Sequence, residues 1–432
     1  MEQQGGAGTV LVLGAGGFIG GYVVSALRAH GWRVLRGVRG HGRALPGDAR
    51  DCDLMRLRTP QAWHPLLEGV DAVVNAAGIL REARGQSFQV IHHDAPLALA
   101  QACVQRGVRR FVQVSALGVP ADGAFIATKH AFDAALQTLP LSSVVLRPSL
   151  VYSASGSYGG TSLLRAMAAF PGLHLLPGDG RWPTQPLSTE DLGELVARSA
   201  GGAQRGVFEV GGPAPISLRA YQQTWRRWLR VPGTGALRTP EWMVGSVVAI
   251  GEMLGRGPVG RTMWAMLRRH NVTAPDAADR LEAAFGLRPR TLQQALDAHP
   301  SQTQDRWHAQ LYFLAPALKL AVIGVFVLSA LVGWRTPAAR IEAMTEGSAL
   351  ASLAPVALAR LGAGFDLLLA LWLASGVRPR AAIGAMLALV SAYTLAFGIA
   401  VSELWLDPLG GLLKNLILLP ALAVLWVLAD RR

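Results

Sequence analysis

The stretch TVLVL at Thr9–Leu13, followed without a break by GAGGFIGGYVVSALRAHG at residues 14–31, decides the fold. Five β-branched and aliphatic residues in a row predict a strand buried on both faces. The glycines interrupt it, and the apolar spacing beyond them suits a helix that Gly31 closes. Strand, glycine-rich turn and helix in that order bring backbone N–H groups and a helix N-terminus to one point, which suits a phosphate. Gly14, Gly17 and Gly20 stand in GxxGxxG spacing, where a turn free of side chains meets a pyrophosphate.

Outward from this unit the pattern repeats. Residues 32–38, 71–75, 111–115 and 144–146 read as further strands, and residues 88–106 and 125–139 as helices between them. Strands alternating with helices require crossover connections, so the expected fold is α/β: a doubly wound Rossmann domain with a mainly parallel sheet. After Arg147-Pro148 the pattern loosens into Gly/Pro-rich loops with short helices near 163–170 and 191–200, as in a lobe that closes over a ligand. Residues 217–305 are mixed and basic, and residues 231–308 are read as a linker or lid. Within them residues 243–254 are apolar enough for a core helix or one lying on a membrane surface, and the core reading is preferred.

The tip of the second strand carries Arg36 and Arg39, where an NAD site would place a carboxylate on the ribose 2′-hydroxyl. Positive charge suits a 2′-phosphate, so NADP(H) is expected ahead of NAD(H). Asp53 and Leu54, after a presumed third strand, are expected at the adenine edge, with Asp53 alternatively capping a turn.

From residue 311 the composition changes. Four apolar runs, at 311–334, 357–374, 381–401 and 412–429, are each long enough to cross ~30 Å of hydrocarbon. An all-α four-helix transmembrane domain is therefore expected over residues 309–432. The 432 residues are 51% hydrophobic and 16% charged, too apolar for an ordinary soluble protein. The net charge of +13 is scattered rather than gathered into a basic helix, which argues against nucleic acid and for the anionic surface of a cytoplasmic leaflet. Cys52 and Cys103 lie in no metal-ligand spacing, and MEQQGGAGTV has no signal-peptide pattern. The expectation is a multi-pass membrane protein, its first domain cytoplasmic. An even number of spans would return Asp430-Arg431-Arg432 to that side, with Arg378 and Arg380 inside and Glu403 and Asp407 outside.

GAGGFIGGYVVSAL, NAAG at 75–78, GVRRFVQVSALG at 107–118 and LRPSLVY at 146–152 together resemble the short-chain dehydrogenase/reductase superfamily. The chain is most similar to its atypical branch, which includes the NADPH-binding accessory subunit of respiratory complex I and sugar-nucleotide epimerase-like proteins. The resemblance covers residues 9 to about 230. It implies cofactor contacts from Gly14, Gly16, Gly17, Phe18, Ile19, Gly20, Arg36, Arg39, Asp53, Leu54, Ala76, Ala77, Gly78 and Lys129. It implies catalytic roles for Ser115 and Lys129, which match the family's Ser and the Lys of its YxxxK motif. The Tyr of that motif is Phe125 here, and a phenyl ring supplies no proton. Three readings follow: Lys129 acts alone or through water, as in the isoflavone-reductase-like branch; Tyr152 or Tyr158 replaces the missing phenol; or the domain binds NADP(H) without turnover.

LWLDPLGGLLKNLILLP at 404–420, closing the helical block, resembles the DoxX-like family of small membrane proteins, members of which are linked to quinone-dependent oxidation. Asp366 inside the second span is a site candidate, alternatively paired between helices with Arg360 snorkelling outward. Lys414-Asn415 is read as an interface anchor or a contact for a headgroup or quinone carbonyl, and Lys319 as a snorkelling lysine. The leading expectation is an NADP(H)-dependent oxidoreductase acting on an apolar, lipid-borne or quinone-like small molecule. A structural, assembly or redox-sensing subunit is the second reading, and a nucleotide-gated transporter, resting on Asp366, the third.

Overall fold

The computed structural model describes residues 8–40, 45–83, 85–253, 260–406 and 411–429. The first seven residues, Leu254, Asp407 and the terminal Asp430-Arg431-Arg432 lie outside the described residues. The chain divides into two units, residues 1–310 and 311–432.

In the first unit, seven parallel strands form one sheet: β1 (Thr9–Leu13), β2 (Arg33–Val38), β3 (Ala49–Asp51), β4 (Ala72–Asn75), β5 (Arg110–Val114), β6 (Ser143–Pro148) and β7 (Gly206–Val210). Their spatial order is 3-2-1-4-5-6-7. The order reverses between β1 and β4, and in such sheets ligands bind in the crevice outside the strand ends at that reversal. Both faces are covered. Val10 and Val12 point into one core with Val23 and Leu27 of α1 (Phe18–Ala29) and with Leu192, Leu195 and Val196 of the helix Thr189–Gly201. The alternate residues Leu11 and Leu13 point into the other, with Leu99 of α2 (Ala95–Gln105) and Phe132 and Leu136 of α3 (Ala124–Thr138). A β1 that is apolar at every position is thus explained by burial on two sides.

The doubly wound fold matches the expectation, with three differences. The helix expected over 88–106 begins as a π-helical turn, Gln89–Asp94. β7 was not anticipated, because GVFEV is a short edge strand with a Glu in its middle. Residues 231–308 are no free linker: Leu281 and Phe285 join the core beside the sheet, and Leu292 and Leu296 pack with Tyr152 and Trp225. The helix expected at 243–254 runs Glu241–Met253 and is not a core helix, since Trp242 is 72% exposed and Met243 40%.

The second unit is all helical: α4 (Thr303–Arg335, which begins in the first unit), α5 (Pro355–Ser375), α6 (Pro379–Ala400) and α7 (Leu413–Leu428). Three of them, α4, α5 and α6, are long and apolar enough to cross a membrane. The fourth expected span is realised as an apolar helix of 16 residues. At ~1.5 Å per residue it is shorter than ~30 Å of hydrocarbon. The even count of crossings rested on that run. Asp366 is paired between helices, Ser329 Oγ of α4 donating to Asp366 Oδ2 at 2.6 Å, whereas Arg360, expected to snorkel outward, instead donates through Nη2 to the Thr336 carbonyl at 2.8 Å and through Nη1 to that of Gly333. Arg360 thus caps the orphan carbonyls at the end of α4, where a cation is favoured. Asn415 donates to Thr394 Oγ1 at 3.0 Å, tying α7 to α6, while Lys414 is exposed.

Candidate functional site

A cavity of about 1040 Å³ opens at the carboxyl ends of β1 and β4, lined among others by Gly14, Gly16, Gly17, Arg39, Asp53, Leu54, Ala76, Ala77 and Gly78. That is at the upper end of the ~300–1,000 Å³ of typical ligand sites. The glycines divide the work. Gly14 has φ +71°, and a Cβ there would lie 2.9 Å from the Ala76 carbonyl oxygen. A Cβ on Gly20 would lie 2.0 Å from the Gly14 carbonyl oxygen, so the absent side chain lets α1 seat against the turn. A Cβ on Gly16 would meet nothing within 4 Å, because that position faces the cavity itself. Gly17 caps α1 without a side-chain bond, and no acidic residue occupies the first turn. The N–H groups of that turn are the donors a diphosphate accepts from.

Phe18, Ile19, Gly20 and Arg36 stand outside the lining. Phe18 packs edge-on to Tyr22 and stacks with Tyr158, 6.0 Å between centroids, and Ile19 packs on the core. The two arginines part company. Arg36 makes a two-pronged pair with Asp48, Nε to Oδ2 at 2.9 Å and Nη2 to Oδ1 at 2.8 Å. Arg39 borders the cavity with Gly37 and Val38. Asp53 lines it too, and its Oδ1 accepts from the Met55 N–H at 3.0 Å, so it serves as the turn cap as well.

Behind Gly78 lies a buried polar cluster. A Cβ on Gly78 would be 3.5 Å from both Lys129 Nζ and His92 Nε2, which lie behind this glycine and do not themselves line the cavity. Lys129 is 5% exposed and donates to the Val114 carbonyl at 3.3 Å. Burial lowers its pKa from 10.5 to about 8, against the raising influence of the Asp133 carboxylate. His92 Nε2 accepts from the Ile79 N–H at 3.1 Å, which leaves Nδ1–H to face Thr128 Oγ1 at 3.2 Å. Burial, and then the charge of Lys129, push the imidazole down to about 2, so it stays neutral.

Ser115 belongs to a different network. Its hydroxyl donates to Asp133 Oδ2 at 2.8 Å, and Arg147 Nε donates to the same oxygen at 2.9 Å. Ser115 thus helps tie β5 and β6 to α3 and does not border the cavity. Phe125 does, one turn before Lys129, against Phe88 and His92. Of the two candidate replacement tyrosines, Tyr152 is 1% exposed and packs on Trp225, a core residue, whereas Tyr158 lines the cavity. Sequence reasoning missed His92 and Asp133. For Asp133 the signal was present: it stands four residues after Lys129, one turn along the same helix face.

Thiol chemistry is disfavoured, since burial pushes Cys52 up to about 12 and Cys103 higher still. Among the described residues no cluster of His, Cys, Asp or Glu suits a metal ion.

The fold and its glycine cradle define an NAD(P)-binding Rossmann domain. Residues 10–170 match the NAD dependent epimerase/dehydratase family, and residues 306–426 the DoxX-like family. The chain therefore carries a region similar to the epimerase/dehydratase family followed by one similar to the DoxX-like family. It is 31% identical over 152 residues to the ceramide reductase of Caulobacter vibrioides, covering 34% of this chain and 47% of that protein. It is 25% identical over 245 residues to mitochondrial NADH dehydrogenase [ubiquinone] 1 alpha subcomplex subunit 9 of Arabidopsis thaliana, covering 51% of this chain and 60% of that one. The chain thus spans about half the length of these curated relatives. The Thermus thermophilus UDP-glucose 4-epimerase, solved with NAD, shares the fold at a TM-score of 0.50 and 19% identity over 70% of this chain and 99% of that one. The Bordetella bronchiseptica enzyme WbmH, solved with NAD+, does so at 0.50 and 15% over 67% and 96%.

Proposed function

We propose that the protein is a membrane-anchored oxidoreductase that uses NADP(H) to reduce or oxidise an apolar, lipid-borne carbonyl or quinone. The observation that carries this reading is the placement of Lys129 directly behind Gly78, a residue that lines the glycine-cradled cavity. When bound there, a nicotinamide supplies or accepts hydride. The chain supplies the rest: the Gly14–Gly20 turn holds the diphosphate, Arg39 receives the 2′-phosphate, and Phe125, Ile79 and Met263 form apolar walls. A Lys129 poised near pH 8 holds the proton that a reduced carbonyl oxygen needs. Similarity to a protein named a ceramide reductase supports an apolar substrate, and the membrane helices hold the domain where such a substrate is concentrated. We assign the domain to the cytoplasmic face of a bacterial inner membrane.

The second reading, a nucleotide-holding subunit without turnover, is favoured by Phe125 at the phenol position and by the engagement of Ser115 with Asp133. It accords with the likeness to a complex I subunit. Titrating the detergent-purified chain with NADPH and NADH by nucleotide fluorescence is the first test. Saturable binding tighter for NADPH supports the proposal, and binding of neither nucleotide overturns both readings.

A further inference from the structure

The segment around Trp242 carries an apolar surface beside the cavity mouth that the site chemistry does not use. The helix Glu241–Met253 reads EWMVGSVVAIGEM, without one Lys or Arg. Val248 packs inward, while Trp242 and Met243 face outward, and the strand Gly235–Thr239 presents Leu237 at 52% exposure. The next helix, Arg261–Arg268, ties this surface to the mouth: Thr262 and Met263 line the cavity, Trp264 packs edge-on to Trp182 at 5.2 Å, and Arg268 Nε lies 3.9 Å from Glu241 Oε2. The mouth has apolar residues of its own, Leu80 and Tyr158, 39% and 56% exposed.

Scattered exposed apolar residues are ordinary. Here they are grouped, and the segment is basic: residues 219–270 hold nine arginines against Glu241 and Glu252, of which Arg226 is buried, Arg268 and Arg269 face Glu241 and Asp122, and Arg227, Arg230, Arg238 and Arg261 are exposed. Tryptophan and long apolar side chains flanked by arginine make up the composition of a membrane–water interface. Positive charge of this density is drawn to anionic headgroups.

We propose that residues 235–253 and 260–268 dock the first unit onto an anionic bilayer surface, inserting Trp242, Met243 and Leu237 among the headgroups so that the cavity mouth opens at the lipid boundary. The bilayer is the occupant because helices of this same chain are apolar enough to cross one, which keeps lipid at high effective concentration around the first unit. The arginine excess matches lipid phosphate. The consequence for substrate entry rests on the lipid-borne reading of the proposed function; the docking itself does not.

The test uses the full chain in phosphatidylcholine nanodiscs with or without phosphatidylglycerol, carrying an environment-sensitive nitrobenzoxadiazole label on a Met243→Cys variant. The native thiols are buried and escape labelling. Quenching by lipids carrying a nitroxide near the headgroup, at least about twofold stronger in the anionic discs, is expected. Quenching by aqueous iodide alone places the label in water, and protection from both quenchers places it under protein, a second copy included; either result overturns the proposal. A Trp242→Glu/Leu237→Glu variant should lower kcat/KM for NADPH oxidation by a disc-embedded long-chain ketone about tenfold, leaving NADPH affinity and the rate with a water-soluble ketone unchanged. Equal loss with both ketones contradicts substrate entry at the lipid boundary. Absence of turnover with every substrate overturns the oxidoreductase reading and leaves the quenching result to stand alone.

Discussion

Lys129 Nζ lies 5.8 Å from the centroid of the Phe125 ring, one helical turn away on α3. A cation over an aromatic face is attracted by the ring, so Phe125 holds the ammonium in place, and what it lacks is a transferable proton. Phe125→Tyr restores that proton with little change in volume. General acids contribute ~10²- to 10⁴-fold, so the variant should oxidise NADPH at least about tenfold faster than wild type in single-turnover kinetics with a long-chain ketone. An unchanged rate would show that proton transfer from this position limits nothing.

Lys129 also sets a pH dependence. The unfolded chain keeps this proton up to about 10.5 and the folded chain releases it at about 8. Between those values the unfolded state binds more protons, so stability rises with pH across the window, and below it the whole penalty of a buried charge is present. At about 1.4 kcal/mol per pH unit this amounts to on the order of 3–4 kcal/mol. Lys129→Met should therefore melt above wild type near neutrality, with the difference shrinking as pH rises from about 8 to 10.5. Thermal denaturation across that range checks it, and a gap independent of pH contradicts the assignment.

Two glycines of the turn should separate folding from binding. Gly20→Ala drives a Cβ to 2.0 Å from the backbone oxygen of Gly14 and should lower the melting temperature together with nucleotide affinity. Gly16→Ala has open space around its Cβ and should leave the melting temperature unchanged while weakening nucleotide binding at least about tenfold, because that space is where the diphosphate approaches. Unfolding and fluorescence titration of both variants distinguish these effects; equal behaviour would refute the division.

The arginines predict the basis of cofactor choice. Arg36→Ala breaks a two-pronged contact with Asp48 outside the cavity and should leave the NADPH-to-NADH affinity ratio within about twofold of wild type. Arg39→Ala removes a cation that borders the cavity and should lower that ratio about tenfold. Reversed outcomes would place the 2′-phosphate on Arg36.

Much of this arrangement was legible in the residues. An apolar β1, a glycine turn and an amphipathic α1 are local features, and local features specify the sheet order through the handedness of crossovers. What escaped reading depends on tertiary neighbours. Arg36 and Arg39 look equivalent in sequence, and it is the fold that sets Arg36 on Asp48 and Arg39 at the cavity. Ser115 sits in a motif that suggests catalysis, yet the Asp133 carboxylate four residues beyond Lys129 claims its hydroxyl. Arg360 was read as snorkelling outward, whereas the carbonyls at the end of α4 bind it. The apolar run at 412–429 matched a span in composition, and its helix of 16 residues is shorter than one.

The central claim is that a chain with phenylalanine at the phenol position still moves hydride. NADPH-loaded protein in nanodiscs, mixed in a stopped-flow instrument with a membrane-embedded long-chain ketone or quinone, tests it through the nicotinamide absorbance. The account predicts a single-exponential loss of NADPH in wild type that is abolished in Lys129→Met at saturating nucleotide. NADPH that stays bound and unoxidised in both proteins contradicts it, and would make the domain a holder of nucleotide.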